Sequence, residues 1–185
     1  MDSDEKDKGE LMDFIKSITN KKENSELVWR GDRDMIDMCD LVKKYFYDSY
    51  MKGSNSIKVV LPAVIKICEF VNKKYSKPIS EINLTSLNFS GNHVWIKDGN
   101  LDPYISLPAP DFSKVKNPVG DINKLNNGGD ALTAYAKIQY QEMSSLERNI
   151  IKQSLLKYCE LDTLAMVMIY EFFASELKIH AFSNQ

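Results

Sequence analysis

Ile151, Leu155, Tyr158, Asp162, Ala165, Ile169 and Phe172 follow one another at intervals of three or four residues. At about 100° per residue they all fall on one face of a helix. Ser144-x-x-Glu147, just ahead of the run, is a capping-box pattern and predicts a helix from there to about Leu177, the longest in the chain. Six of the residues belong on a buried face; Asp162 is a carboxylate near its middle. An isolated buried carboxylate costs roughly several kcal/mol, so Asp162 needs a cation, a hydrogen-bonding partner or a metal. The ordinary solutions are a cap on a helix restarting near Thr163, or a basic partner. The alternative is a functional role.

Elsewhere the pattern is mainly helical with a few short strands. Leu11, Phe14, Ile15 and Ile18 suggest a helix over about Glu10–Thr19, after a charged tail, 1–9, that is expected to be disordered. Lys21–Ser25 reads as a polar connection. Met35, Ile36 and Met38 suggest a short buried strand, after which Asp37 stands where a helix could begin, either as its N-cap or facing a site. Ser56 is a good N-cap for the apolar run from Ile57 to Tyr75, in which Pro62 predicts a kink or a break. Five of the six prolines fall between Ser76 and Asn127, an irregular insertion with one brief strand expected at His93–Ile96. Asn126–Asp130 reads as a turn opening a further helix. One domain over 10–185 accommodates all of this.

Bulk chemistry narrows the function classes. A net charge of −2 does not suit strong non-specific nucleic-acid binding, which needs a basic face. Cys39, Cys68 and Cys159 lie far apart, as do His93 and His180, so no zinc spacing is present. The cysteines read as reduced core or near-core residues. No stretch approaches a membrane span and no signal-peptide core stands at the N-terminus, so the expected compartment is the cytoplasm.

Tyr158-Cys159-Glu160-Leu161-Asp162-Thr163 resembles the third motif of the DEDD exonucleases in its tyrosine form, Tyr-x-x-x-Asp. Three further segments precede it: Arg33–Met38, Gly53–Ala63 and Gly128–Ala131. Together, over roughly 27–175, they resemble the bacterial family catalogued as domain of unknown function 2779. The resemblance implies the C-terminal portion of an α/β RNase H-like domain of 3′→5′ exonuclease type. It also implies catalytic roles for Tyr158 and Asp162, with Asp162 a ligand of Mg2+ or Mn2+ where a complete site is assembled, and otherwise no cofactor.

Such a site needs four acidic residues to hold two cations. The family's first two acidic motifs lie upstream of the matching region. Asp2, Asp4, Glu5 and Asp7 sit in a tail without apolar alternation and make no Asp-x-Glu strand. The chain is therefore expected to be inactive alone. Its implied partners are single-stranded nucleic acid and a polypeptide carrying the missing motifs. The alternative is a helical protein-interaction module without catalysis. Ser56 and Lys58 are expected to serve in capping and solvation, and Trp95 and Tyr104 either to stack on bases or to pack the insertion onto the helices.

Overall fold

The computed structural model describes residues 3–24, 26–97, 99–116, 118, 125 and 127–177. Asp2, Ser25, Asn126 and His180, named above, lie outside them. The fold is mainly α, and the chain divides into two compact units, 1–44 and 45–185.

In the first unit α1 runs over Ser3–Ile18, so it starts before the expected Glu10 and takes in most of the charged run. The stretch read as a polar connection is instead half of an antiparallel hairpin, β1 (Asn20–Glu23) with β2 (Glu26–Arg30). Val28 and Trp29 favour an extended backbone in β2, and Asn24 takes the left-handed φ of 49° at the turn. The exit of β2 is fastened to the end of α1, where Gly31 N–H donates to Thr19 O and Arg33 N–H to Ser17 O. Gly31 is required there because a Cβ would overlap the carbonyl oxygens of Lys16 and Ser17.

The buried strand expected at Met35–Met38 is absent. Met35 and Ile36 are exposed, and β2 is paired with β1 rather than with this segment. Asp37 is an N-cap: its Oδ1 accepts from Cys39 N–H at 2.8 Å, opening α2 (Met38–Tyr45).

The second unit is organised around one long helix. It contains α3 (Ile57–Ile67), α4 (Glu69–Tyr75), α5 (Gly128–Tyr140) and α6 (Ser145–Glu176). A short 3-10 turn, Pro103–Ser106, lies in the insertion. α3, α4, α5 and that turn each contact α6. The core is built from Leu61, Val64 and Ile65 of α3, Val71 and Tyr75 of α4, and Ile151, Leu161, Ala165 and Met168 of α6.

Pro62 does not break α3; the interruption comes at Cys68, whose φ of −98° and ψ of 101° are extended. Proline leaves the Lys58 carbonyl without its helical donor but does not prevent the turn from continuing. The orphaned end is closed by Asn72, whose side chain donates to Ile65 O. Ser144 and Asn127 cap α6 and α5 through Glu147 N–H and Asp130 N–H. Arg148 then donates to the Ile138 and Gln141 carbonyls, tying the start of α6 to the end of α5.

The segment at His93–Ile96 is a single bridge, Pro78 to Val94, rather than a strand. Of the cysteines only Cys68 is buried; Cys39 and Cys159 are exposed. Among the described residues no helix is long and apolar enough to cross a membrane.

Candidate functional site

α6 carries Tyr158 and Asp162 one turn apart on the same side, with no restart near Thr163, whose hydroxyl donates to Cys159 O. The buried seam of α6 includes Tyr158, Leu161, Ala165, Met168, Ile169 and Phe172. Asp162 sits at the rim of that seam, one residue and about 100° round from Leu161. Its side chain is 38% exposed, so it is less buried than its place in the stripe suggests.

Two residues distant in sequence reach this carboxylate. Lys58, in the first turn of α3, places Nζ 3.2 Å from Asp162 Oδ1. Tyr104, from the 103–106 turn, donates its hydroxyl to the same oxygen at 2.6 Å. The basic partner is thus the solution the fold uses, with a phenol added.

Each partner is held by its own local chemistry. Ser56 Oγ accepts from Lys58 N–H and starts α3 as expected. Lys58 itself is not a solvated residue: its side chain is 24% exposed. Its Nζ lies 2.9 Å from the Tyr104 ring centroid and 4.4 Å from that of Tyr158, so the ammonium stands between two aromatic rings. Tyr104 is presented by a strap that closes on itself. Asp102 Oδ1 accepts from Tyr104 N–H, Asn100 Oδ1 accepts from Asp102 N–H, and Asn100 Nδ2 donates to Ser106 Oγ.

Burial lowers the affinity of Lys58 for its proton, while the carboxylates of Asp162 and Asp102 oppose that shift. Burial, followed by the bond to Asp162, pushes the Tyr104 hydroxyl far above the usual phenol range. Tyr158 is raised by burial and then by the Asp162 charge, with Asp130 adding a smaller effect. Both phenols therefore stay protonated at neutral pH and act as hydrogen-bond donors, not as bases.

This donor set does not fit the Mg2+ or Mn2+ that the resemblance implies. Such ions take several oxygen ligands, usually with carboxylates among them. Here Asp162 already carries an ammonium and a phenol on the same oxygen. Among the described residues no group of three or more histidine, cysteine, aspartate or glutamate side chains could hold an ion.

Trp95 and Tyr104 do not present faces for stacking on bases: they are 3% and 2% exposed. Trp95 packs edge-on against Phe89 and His93 inside the insertion, and its Nε1 is buried without a partner. A cleft of about 460 Å3 lies elsewhere on α6, bordered by Ile79, Leu84, Trp95, Leu156, Thr163 and Val167. None of Lys58, Tyr104, Tyr158 or Asp162 lines it.

Sequence reasoning singled out Tyr158 and Asp162 but did not identify Lys58 and Tyr104 as the residues that reach Asp162. Asp102-Pro103 is a legible turn start, yet nothing local says where the following tyrosine points. No family model, curated protein or solved structure matches this chain.

Proposed function

We propose that this chain is the C-terminal portion of a metal-dependent 3′→5′ exonuclease-like domain of RNase H type, without catalysis of its own. It contributes Tyr158 and Asp162 to a site whose other acidic residues come from outside it. One observation supports the reading. Two of the four segments that carry the resemblance meet in one place: Lys58 from α3, and Tyr158 with Asp162 from α6. Neither strand among the described residues, Asn-Lys-Lys-Glu or Glu-Leu-Val-Trp-Arg, carries an Asp-x-Glu pair. A divalent ion at Asp162 therefore requires further carboxylates, and single-stranded nucleic acid is the substrate class.

The test uses 3′- and 5′-labelled single-stranded DNA and RNA with Mg2+ or Mn2+. The chain alone leaves them intact. Joined to a segment supplying an Asp-x-Glu strand and a second acidic motif, it shortens them from the 3′ end, and Asp162→Asn abolishes this. Cleavage by the isolated chain that vanishes in Asp162→Ala would mean that the site is complete. Cleavage by the joined protein that survives Asp162→Asn would remove Asp162 from the reaction.

A second reading, a helical interaction module, is favoured by the pairing of Asp162 Oδ1 with Lys58 and Tyr104 within the chain. For such a module Lys58→Met with Asp162→Leu leaves partner binding intact, whereas the same double change destroys a nuclease site.

A further inference from the structure

We infer that the cleft on α6 binds a free long-chain carboxylic acid, with its hydrocarbon tail along the helix and its carboxylate at Lys157. The cleft lies apart from the Asp162 centre, so the inference does not rest on the nuclease reading.

The walls are mostly hydrocarbon. Leu84, Leu87 and Trp95 come from the insertion, and Leu156, Leu164 and Val167 from α6. Leu87, Leu156 and Val167 are exposed, which leaves apolar side chains facing water at its edge. Several polar side chains of the lining are engaged with the protein. Asn88 Nδ2 donates to Glu160 Oε2, the Thr163 hydroxyl donates to Cys159 O, and Ser86 Oγ accepts from the N–H groups of Asn88 and Phe89. An extended peptide, which needs a row of backbone partners, is therefore poorly served here.

Size decides between the remaining occupants. At about 460 Å3 the cleft falls within the range of small-molecule sites, roughly 300–1,000 Å3. It touches α6 from Leu156 to Val167, which the helical rise makes about 17 Å long. The mean cross-section is then roughly 27 Å2. A helix with its side chains, about 10–12 Å across, needs roughly three to four times that area. A single hydrocarbon chain fits.

Charge assigns the head group. Lys157 follows the lining residue Leu156, and its Nζ lies 5.8 Å from the centroid of Phe89, whose ring packs edge-on against Trp95 in the wall. Among the described residues Lys157 forms no ion pair, and its flexible stem lets the ammonium turn to a ligand at that end. Glu160, the acidic residue of the lining, is engaged by Asn88. A carboxylate gives Lys157 a charge-assisted hydrogen bond.

The experiment titrates the full chain by calorimetry with octanoic, decanoic, dodecanoic and tetradecanoic acids below their micelle concentrations. Affinity rises about threefold to fourfold per buried methylene and levels off once the tail outruns the cleft. Cys159 and Cys39 report the place, since both are exposed and only Cys159 lines the cleft. Dodecanoic acid at about ten times its Kd slows alkylation of Cys159 by iodoacetamide about tenfold and leaves Cys39 unchanged. Leu164→Trp fills the cleft and abolishes binding, and Lys157→Gln weakens it about threefold. Affinity independent of tail length, equal protection of the two thiols, or unchanged binding in either variant overturns the inference. So does protection of Cys159 by phosphatidylcholine vesicles alone, which would make the cleft a membrane contact. Should Leu164→Trp fail to fold, the tail-length series and the thiol pattern of the wild type decide alone.

Discussion

Asp162→Asn removes a charge while keeping the shape of the side chain, so it isolates what the carboxylate contributes to the fold. With 24% and 38% of the two side chains exposed, the Lys58–Asp162 pair lies between two known limits. Exposed pairs are worth about 0–1 kcal/mol, and removing one partner of a buried pair costs about 3–5 kcal/mol. Because Asp162 is more than a third exposed, solvent screening places the cost nearer the lower limit. The Tyr104 hydroxyl also exchanges a charged acceptor for a neutral one, a loss of about 1 kcal/mol. The sum is a destabilisation of roughly 2 kcal/mol, or about 4–8 °C in Tm for a chain of this size. Urea and thermal unfolding of wild type, Asp162→Asn, Lys58→Met and the double variant measure it. The double variant recovers about 1 kcal/mol of the summed single losses, because neither charge is then left alone. A variant as stable as the wild type, or more stable, would refute the reasoning. It would mean that Asp162 is kept at the expense of the fold, as functional carboxylates often are.

Three further outcomes follow from other contacts. Glu171→Gln breaks the two-pronged hold on α4, where Lys74 Nζ and Tyr75 OH bind its two carboxylate oxygens, and costs roughly 1.5–2 kcal/mol in urea unfolding. An unchanged midpoint would show that packing alone docks α4. Ser144→Ala removes the cap on Glu147 N–H and lowers stability by about 1 kcal/mol, read by circular dichroism on heating, while Ser144→Asp keeps it. His93 is held below its ordinary value by burial and then by Lys97 and Lys157, with Glu160 opposing. The unfolded chain therefore binds a proton first as pH falls, and stability drops from about pH 6.5 downward through the lower folded value. Unfolding midpoints across that window should slope less in His93→Phe; equal slopes would remove His93 as the cause.

How much of this was legible follows from how local each signal is. α6 announced itself because periodicity and a capping box agree over one stretch, and the caps at Asn127 and Ser144 need only a few residues to be read. The offset of Asp162 from the seam was harder, since residues one position apart differ by only 100° and the stripe is broad. Lys58 and Tyr104 stand 104 and 58 residues from Asp162, and no pattern along the chain links them to it. The hairpin was missed because β1 is entirely polar and lacks alternation. Pro62 misled through a general rule: it stands at the centre of α3 and leaves the Lys58 carbonyl without its donor, yet the helix continues past it and the break comes at Cys68.

The 32 residues of α6 make a rod about 48 Å long, and it is the common neighbour of the other helices in its unit. That arrangement sets an order of assembly. α5 meets α6 across a short connection and needs little loop closure, whereas joining α3 to α6 closes a loop of about a hundred residues. The helical hairpin should therefore form early and the junction of Lys58 with Asp162 late. A φ-value near zero for changes at Lys58, with a larger one at Ser144, is the expected kinetic signature. Seen this way, the charged centre joins the ends of the unit, and its formation reports that the chain has finished folding.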